Sequence, residues 1–197
     1  MPQAEARLCS IATAVPEYVV TQTEVAERTR RVFGLRMPEF DRIAPVFENA
    51  GIAVRHAVRP GEWYEQDRSW TERTDVYLSE ATRLFVSAGR LALERAGLSG
   101  QNIDCVVTVS STGIATPSLE TRAAAALNLR PDIARVPVFG LGCAGGVTGL
   151  SIAARLAEAR PGSNVLLVAV ELCSLAIRLD KLTKANIVAL ALFGDGA

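Results

Sequence analysis

Polar and apolar residues recur along this chain in two rhythms. From Thr71 to Gly97, Glu80, Arg83, Ser87, Arg90 and Glu94 return at steps of three and four, while Tyr77, Ala81, Leu84, Ala88 and Leu91 keep the same rhythm on the opposite face. That pattern predicts an amphipathic helix, and Gly97 stands where a left-handed cap would end it. A second polar stripe, Thr148, Ser151, Arg155 and Glu158, predicts another helix after residue 143. Elsewhere the apolar positions run on without alternation. IDCVVTVS, ARVPVFGL and SNVLLVAVEL read as strands of a buried sheet, and NIVALALFG reads as the start of a fourth.

The first seventy or so residues are less regular. RLCSIATA predicts a short strand ended by VPEYVV, Thr23 to Arg31 suit a short helix, and MPEFDRIAPVFENAG predicts a further helical stretch that Gly51 closes. IAVRHAV alternates enough for an exposed strand. Thr116 and Pro117 fit the N-cap and first helical position of PSLETRAAAALNL. Strand, helix, strand, helix, strand with near-continuous apolar strands predicts a layered α/β fold, its central sheet covered by helices on both sides.

Composition narrows the function classes. Twenty-one basic and 21 acidic side chains in 197 residues cancel to a formal charge of zero. No net field draws such a chain to nucleic acid or to an anionic membrane, so an anionic ligand must be held by individual arginines. No apolar run approaches the roughly 20 residues of a membrane span, and MPQAEARLCS has no basic segment before an apolar core. The expectation is a cytoplasmic chain. Cys9, Cys105, Cys143 and Cys173 are spread without CxxC or Cys/His metal spacing, which predicts reduced thiols and no metal centre.

One of those thiols has a distinctive address. VFGLGCAGGVTGLSIAARLAEA sets Cys143 between glycines at the seam between a predicted strand and a predicted helix. Thiolate is the attacking form of cysteine, and unpaired N–H groups at a helix start favour negative charge. Gly142, Gly145 and Gly146 let the backbone turn sharply and leave room for an acyl group beside the sulfur. The mechanics are those of a nucleophile elbow, although Leu141 stands where that motif has its first glycine. From the turn alone, a small buried hydrophobe and a nucleophile are both open readings.

Four segments taken together decide between them. VSSTGIATPSLETR, RVPVFGLGCAGGVTGLSIAARLA, NVLLVAVELCSL and ALFGDGA occur in the order and approximate spacing of the type III polyketide synthases, the chalcone synthase-like family. PGEWYEQDRSWTERTDVYLSEATRLF resembles the bacterial members in particular, and the resemblance extends over nearly all of the chain from about residue 7. It implies a thiolase-like fold, a duplicated five-layered α/β/α/β/α architecture that pairs into homodimers, with residues 1–197 as its N-terminal half. It also implies an activity. A cysteine takes an acyl starter from coenzyme A, and malonyl-CoA units are decarboxylated and condensed onto it, giving an alkylresorcinol, an alkylpyrone or a related aromatic product. The coenzyme A thioesters are substrates, and no bound cofactor is implied.

The same resemblance distributes roles. The nucleophile falls on Cys143, and the phenylalanine at the junction of the CoA tunnel and the reaction cavity falls on Phe193. A phenyl ring there would exclude water and ease conversion of a carboxylate to carbon dioxide; taken alone, Phe193 reads as core packing, and the LFGDGA context is what favours the functional role. Ser111, Thr112 and Thr116 match the cavity-wall and dimer-loop segment, with Thr116 reaching across the dimer interface or capping a helix, or both. Cys173 and Ala176 match further cavity-lining positions, the small Ala176 hinting at room for a long aliphatic starter. Arg42 matches a segment that contacts CoA phosphates, with a solvated helix arginine as the other reading.

The family's remaining catalytic residues, a histidine and an asparagine, belong to a C-terminal half that these 197 residues do not include. His56, the one histidine present, lies in AVRHAV, where the family has no catalytic residue, and reads as an exposed strand histidine. The expectation is an N-terminal half, truncated, processed or joined by a complementary chain, that condenses little or nothing alone. Two other readings stay open: a ketoacyl synthase III-like enzyme making a single condensation, and a noncatalytic half-domain serving as a binding partner or subunit.

Overall fold

A computed structural model describes residues 5–178, 181 and 183–197. Along the chain come β1 (Tyr18–Thr21), α1 (Gln22–Phe33), the one-turn helices α2 (Phe40–Ile43) and α3 (Val46–Asn49), β2 (Val54–Ala57) and the one-turn helix α4 (Gly61–Tyr64). Then follow α5 (Trp70–Ala96), β3 (Cys105–Ser110), α6 (Leu119–Ala123), β4 (Ala134–Phe139), α7 (Gly145–Ala159), β5 (Val165–Ala169), the two-residue β6 (Glu171–Leu172), α8 (Lys184–Leu192) and the two-residue β7 (Asp195–Gly196). The chain divides into two compact units. One comprises residues 1–14, 74–171 and 196–197, the other residues 15–73 and 172–195.

In the first unit β4, β3 and β5 form a parallel sheet in that order, with β3 central and buried along its whole length. Cys105, Val107 and Val109 point to one face. There Cys105 and Val107 pack with Ala153 of α7, and Val109 meets Gly145 and Gly149. On the other face the Ser110 hydroxyl accepts a 2.7 Å hydrogen bond from Tyr77 of α5. The predicted helix is therefore α5. It starts on a reciprocal bond pair between Ser69 and Glu72 and stops at Gly97, φ +67°, with Leu98 N–H reaching back to the Leu93 carbonyl. Strand β4 differs from expectation. As an edge strand it is half exposed, which is where Pro137, lacking an N–H, is tolerated.

The second unit is built on the antiparallel pair of β1 with β2, in the register Tyr18↔Ala57 to Thr21↔Val54. Helix α1 opens with a capping box: the Thr21 hydroxyl accepts from Glu24 N–H, and the Glu24 carboxylate accepts from Thr21 N–H. Its Phe33 packs with Met37, Phe40 and Phe47 against Ile187 and Ala191 of α8.

Four local expectations are corrected. RLCSIATA carries no assigned strand, although Ala14 exchanges both backbone hydrogen bonds with Ala197. Part of VPEYVV, read as a strand's end, is itself β1. The apolar run after Asn186 is helix α8, its Thr183 N-cap hydroxyl accepting from Asn186 N–H; a short run of continuous apolar residues fits a helix as well as a strand. Thr116 is not an N-cap. The Thr116–Pro117 peptide is cis, and Ser118, extended at φ −61° and ψ 161°, stands at the cap of α6.

Candidate active site

Cys143 sits where β4 gives way to α7. Gly140 and Gly142 adopt φ +84° and +54°, so the chain reverses through a region that residues with a Cβ avoid. Residues 142–144 make one turn of 3₁₀ helix, and α7 continues from it. The thiol is exposed; the buried-hydrophobe reading of Cys143 is thereby set aside. Helix α7 lies close on the sheet because Gly145 and Gly149 bring no side chain to Val109. Replacing Gly142 with alanine meets no neighbour within 4 Å, so its cost is the left-handed backbone alone, about 1–2 kcal/mol. Urea denaturation of the Gly142→Ala chain measures it.

Two of the expected cavity residues join this turn. Ser111 Oγ accepts a 2.9 Å hydrogen bond from Gly142 N–H, the residue before the cysteine. Ser111 and Thr112 are in turn held by Glu171, whose carboxylate accepts from both backbone N–H groups at 2.8 and 3.0 Å and from the Thr112 hydroxyl at 2.7 Å. Sequence reading missed Glu171; an acidic residue interrupting the apolar run VLLVAVEL was the signal available for it. Gly113 lies so close on the Tyr77 ring that a Cβ there would be 2.4 Å from it. Thr116 is exposed in the following segment.

The other expected residues belong to the second unit. Phe193, the C-cap of α8, is 45% exposed and lines a cavity of about 90 Å³ with Val20, Val25, Phe33, Tyr64, Ser174 and Leu190 among its walls. Cys173 and Ala176 do not line that cavity, though Ser174 and Ile177 of the same segment do. Arg42 is exposed on α2 and lies away from it. Arg28 lines it and is held by Glu62 and Glu65, each at 2.5 Å. His56 is half-buried rather than exposed, because its Nδ1 donates to the Pro16 carbonyl at 2.8 Å.

Asp195, two residues after Phe193, anchors a buried polar cluster that sequence reading also missed. Asp195 accepts from Val58 N–H at 2.9 Å, from Ser174 N–H at 2.8 Å and from the Ser174 hydroxyl at 2.5 Å. With the Ser174 proton so directed, the Tyr64 hydroxyl donates to Ser174 at 2.7 Å and accepts from Arg59 N–H. Burial pushes the Tyr64 phenol well above its usual range. Burial likewise raises the Asp195 carboxyl above its ordinary 3.8, outweighing the hydrogen bonds that favour the anion.

A carboxyl raised on folding contributes stability that is complete below its unfolded value and lost as pH rises through the folded one. The stability gap between the unsubstituted chain and Asp195→Asn should therefore change with pH from about 3.8 upward, the unsubstituted chain losing ground. Paired urea titrations across that range check it, and a gap constant with pH would refute it.

Among the described residues, no group of three or more His, Cys, Asp or Glu side chains could hold a metal ion, and no helix is long and apolar enough to cross a membrane.

Comparisons with known proteins bear on this geometry. Residues 56–197 match the family model of chalcone and stilbene synthases, N-terminal domain. A 1,3,6,8-tetrahydroxynaphthalene synthase of Streptomyces peucetius subsp. caesius is 36% identical over 192 residues, 96% of this chain and 50% of that protein. The crystal structure of the Streptomyces coelicolor A3(2) enzyme of the same name, described as a bacterial type III polyketide synthase, superposes with TM-score 0.92 at 32% identity, over 97% of this chain and 55% of the other. Germicidin synthase from Streptomyces coelicolor, also a type III polyketide synthase, gives TM-score 0.87 at 26% identity, over 96% and 57%. The chain thus spans about half the length of the curated relatives it matches. Its fold is the expected one, the N-terminal half of a thiolase-like α/β architecture with a parallel sheet.

Proposed function

Because the chain belongs to the chalcone and stilbene synthase family of type III polyketide synthases, we propose that it supplies the acyl-accepting half of a decarboxylative condensation. The Cys143 thiolate attacks the carbonyl carbon of an acyl-CoA; the bond from that carbon to the CoA sulfur breaks, CoA leaves as its thiolate, and the acyl group stays on Sγ. Malonyl-CoA then loses carbon dioxide. The electron pair left on its α-carbon attacks the Cys143 thioester, which releases the thiolate and lengthens the chain by two carbons. The observation that carries this reading is Cys143 itself, exposed at the head of α7 on a turn tied by Gly142 N–H to Ser111.

In this reading Phe193 meets the malonyl unit and keeps water from it, Ser111, Thr112, Cys173 and Ala176 shape the product cavity, and Arg42 contacts CoA phosphates. Thr116 reaches the partner of a homodimer. A histidine and an asparagine of the complementary half stabilise the oxyanion that forms at each thioester. The exposed Leu141, Val147 and Leu150 flanking Cys143 support the idea that more protein covers this side. The product is an alkylresorcinol, an alkylpyrone or a related polyketide, and the protein works in the cytoplasm.

Trapping an acyl group on Cys143 tests the loading step. Malonyl-CoA and a starter incubated with the purified chain alone should yield no condensed product, since the oxyanion donors are not among its residues. Product from the chain alone, detected by liquid chromatography and mass spectrometry, would refute that part.

A further inference from the structure

Strand β2 grips the turn that carries Phe193 at three points. Arg55 directs one guanidinium nitrogen to the carbonyls of Leu190 and Phe193 and the other to the Ala191 carbonyl, at 2.5, 3.0 and 2.8 Å, and also to the side-chain oxygen of Gln22. Gly194 lies against the strand itself: a Cβ there would stand 3.2 Å from Arg55 Cβ and 3.4 Å from the His56 carbonyl oxygen. Just past the strand, Val58 N–H donates to Asp195.

Arg55 is placed to matter most of the three. The last carbonyls of a helix have no partner within it and carry partial negative charge. Leu190 and Ala191 are in the final turn of α8 and Phe193 is its C-cap. A planar guanidinium satisfies several such carbonyls at once, and the bonds are strengthened by its charge. All four of these acceptors are neutral, so that charge is directed at the helix end rather than cancelled by a carboxylate. Arg55 and Phe193 line the same cavity, so what fixes the Phe193 backbone fixes the point from which its ring enters the cavity wall.

We infer that Arg55 is the positioning residue of Phe193: its guanidinium, forked over the carbonyls of Leu190, Ala191 and Phe193, sets where the phenyl ring stands in the cavity. The inference rests on the reading of Phe193 as the ring that meets the malonyl unit. A lysine at position 55 keeps the charge but loses the fork, and glutamine loses both.

Fluorine NMR of the chain labelled with 4-fluorophenylalanine tests it. Six phenylalanines give six resonances, and Phe193→Leu identifies the one at 193. In Arg55→Lys and Arg55→Gln that resonance alone should move toward the position of the free amino acid, the other five keeping their dispersion, and Lys should not rescue it. An unmoved resonance in either folded variant overturns the inference. A measurement without substitution keeps it refutable even if neither variant folds. The Arg55 guanidinium protons should exchange with water more slowly than those of the exposed arginines, and exchange at the same rate overturns the inference. Neither readout depends on condensation or on acylation of Cys143, so this inference and the proposed function fail separately.

Discussion

Incubated with an acyl-CoA, the chain should gain the mass of one acyl group, and Cys143→Ala should gain none. Four free thiols compete for the label: Cys9 and Cys143 are exposed, Cys173 is half-buried and Cys105 is buried. Exposure therefore cannot by itself favour Cys143 over Cys9. What distinguishes Cys143 is the open turn around it, where glycines at 142 and 146 leave nothing within 4 Å of an added Cβ and so leave space for an acyl chain. Peptide mapping should find the adduct on Cys143, with Cys9→Ser unchanged in yield. No adduct, even with a complementary C-terminal half present, would favour the noncatalytic half-domain. An adduct spread evenly over Cys9 and Cys143 would mean ordinary thiol exchange.

Gly149→Val should cost about 3 kcal/mol or more and take most of the Cys143 labelling with it. A Cβ at 149 would lie 2.7 Å from Val109 Cγ2 and 3.0 Å from Leu167 Cδ1, and one at 145 would lie 2.6 Å from Val109 Cγ1. Val109 is 2% exposed in the central strand and, being β-branched, has few rotamers to retreat into. The strain falls on the helix, which must lift from the sheet, and overpacking of this kind commonly costs 1–3 kcal/mol even for smaller insertions. Because α7 continues directly from the turn bearing Cys143, a lifted helix moves that turn and its Gly142–Ser111 hydrogen bond, and the thiol with it. Gly146→Ala, facing open space, should leave stability within about 1 kcal/mol of the parent. Denaturant melts and adduct yields for the two variants measure the contrast.

Where pattern and packing agree, the chain was readable in advance. Helix α5 announces itself because its two faces differ, and β3 because a run of β-branched residues suits a strand covered on both sides. The turn at Cys143 was legible for a local reason, glycines that permit positive φ. Local pattern was silent where neighbours decide. Helix α8 buries Ile187 and Ala191 but carries apolar Val188 and Leu192 on its exposed face as well, so no polar stripe reveals its period. Thr116 had the chemistry of a cap, but the backbone begins α6 two residues later at Ser118. Glu171 and Arg55 act on partners 60 and 135 positions away, distances at which no spacing rule links an acid to a backbone amide or an arginine to a helix end.

The stripe of Gly145, Gly149 and Ala153 along α7 inverts the usual map of mutational tolerance. In most surface helices the intolerant positions hold the largest apolar side chains. Here Val147 and Leu150 are 77% and 50% exposed, and the buried positions of the helix hold the smallest side chains, with Ile152 and Leu156 packing beside them. A saturation library across residues 145–153 should therefore show intolerance at Gly145, Gly149 and Ala153, returning every fourth residue and set by volume: a helix recognised by what it leaves out.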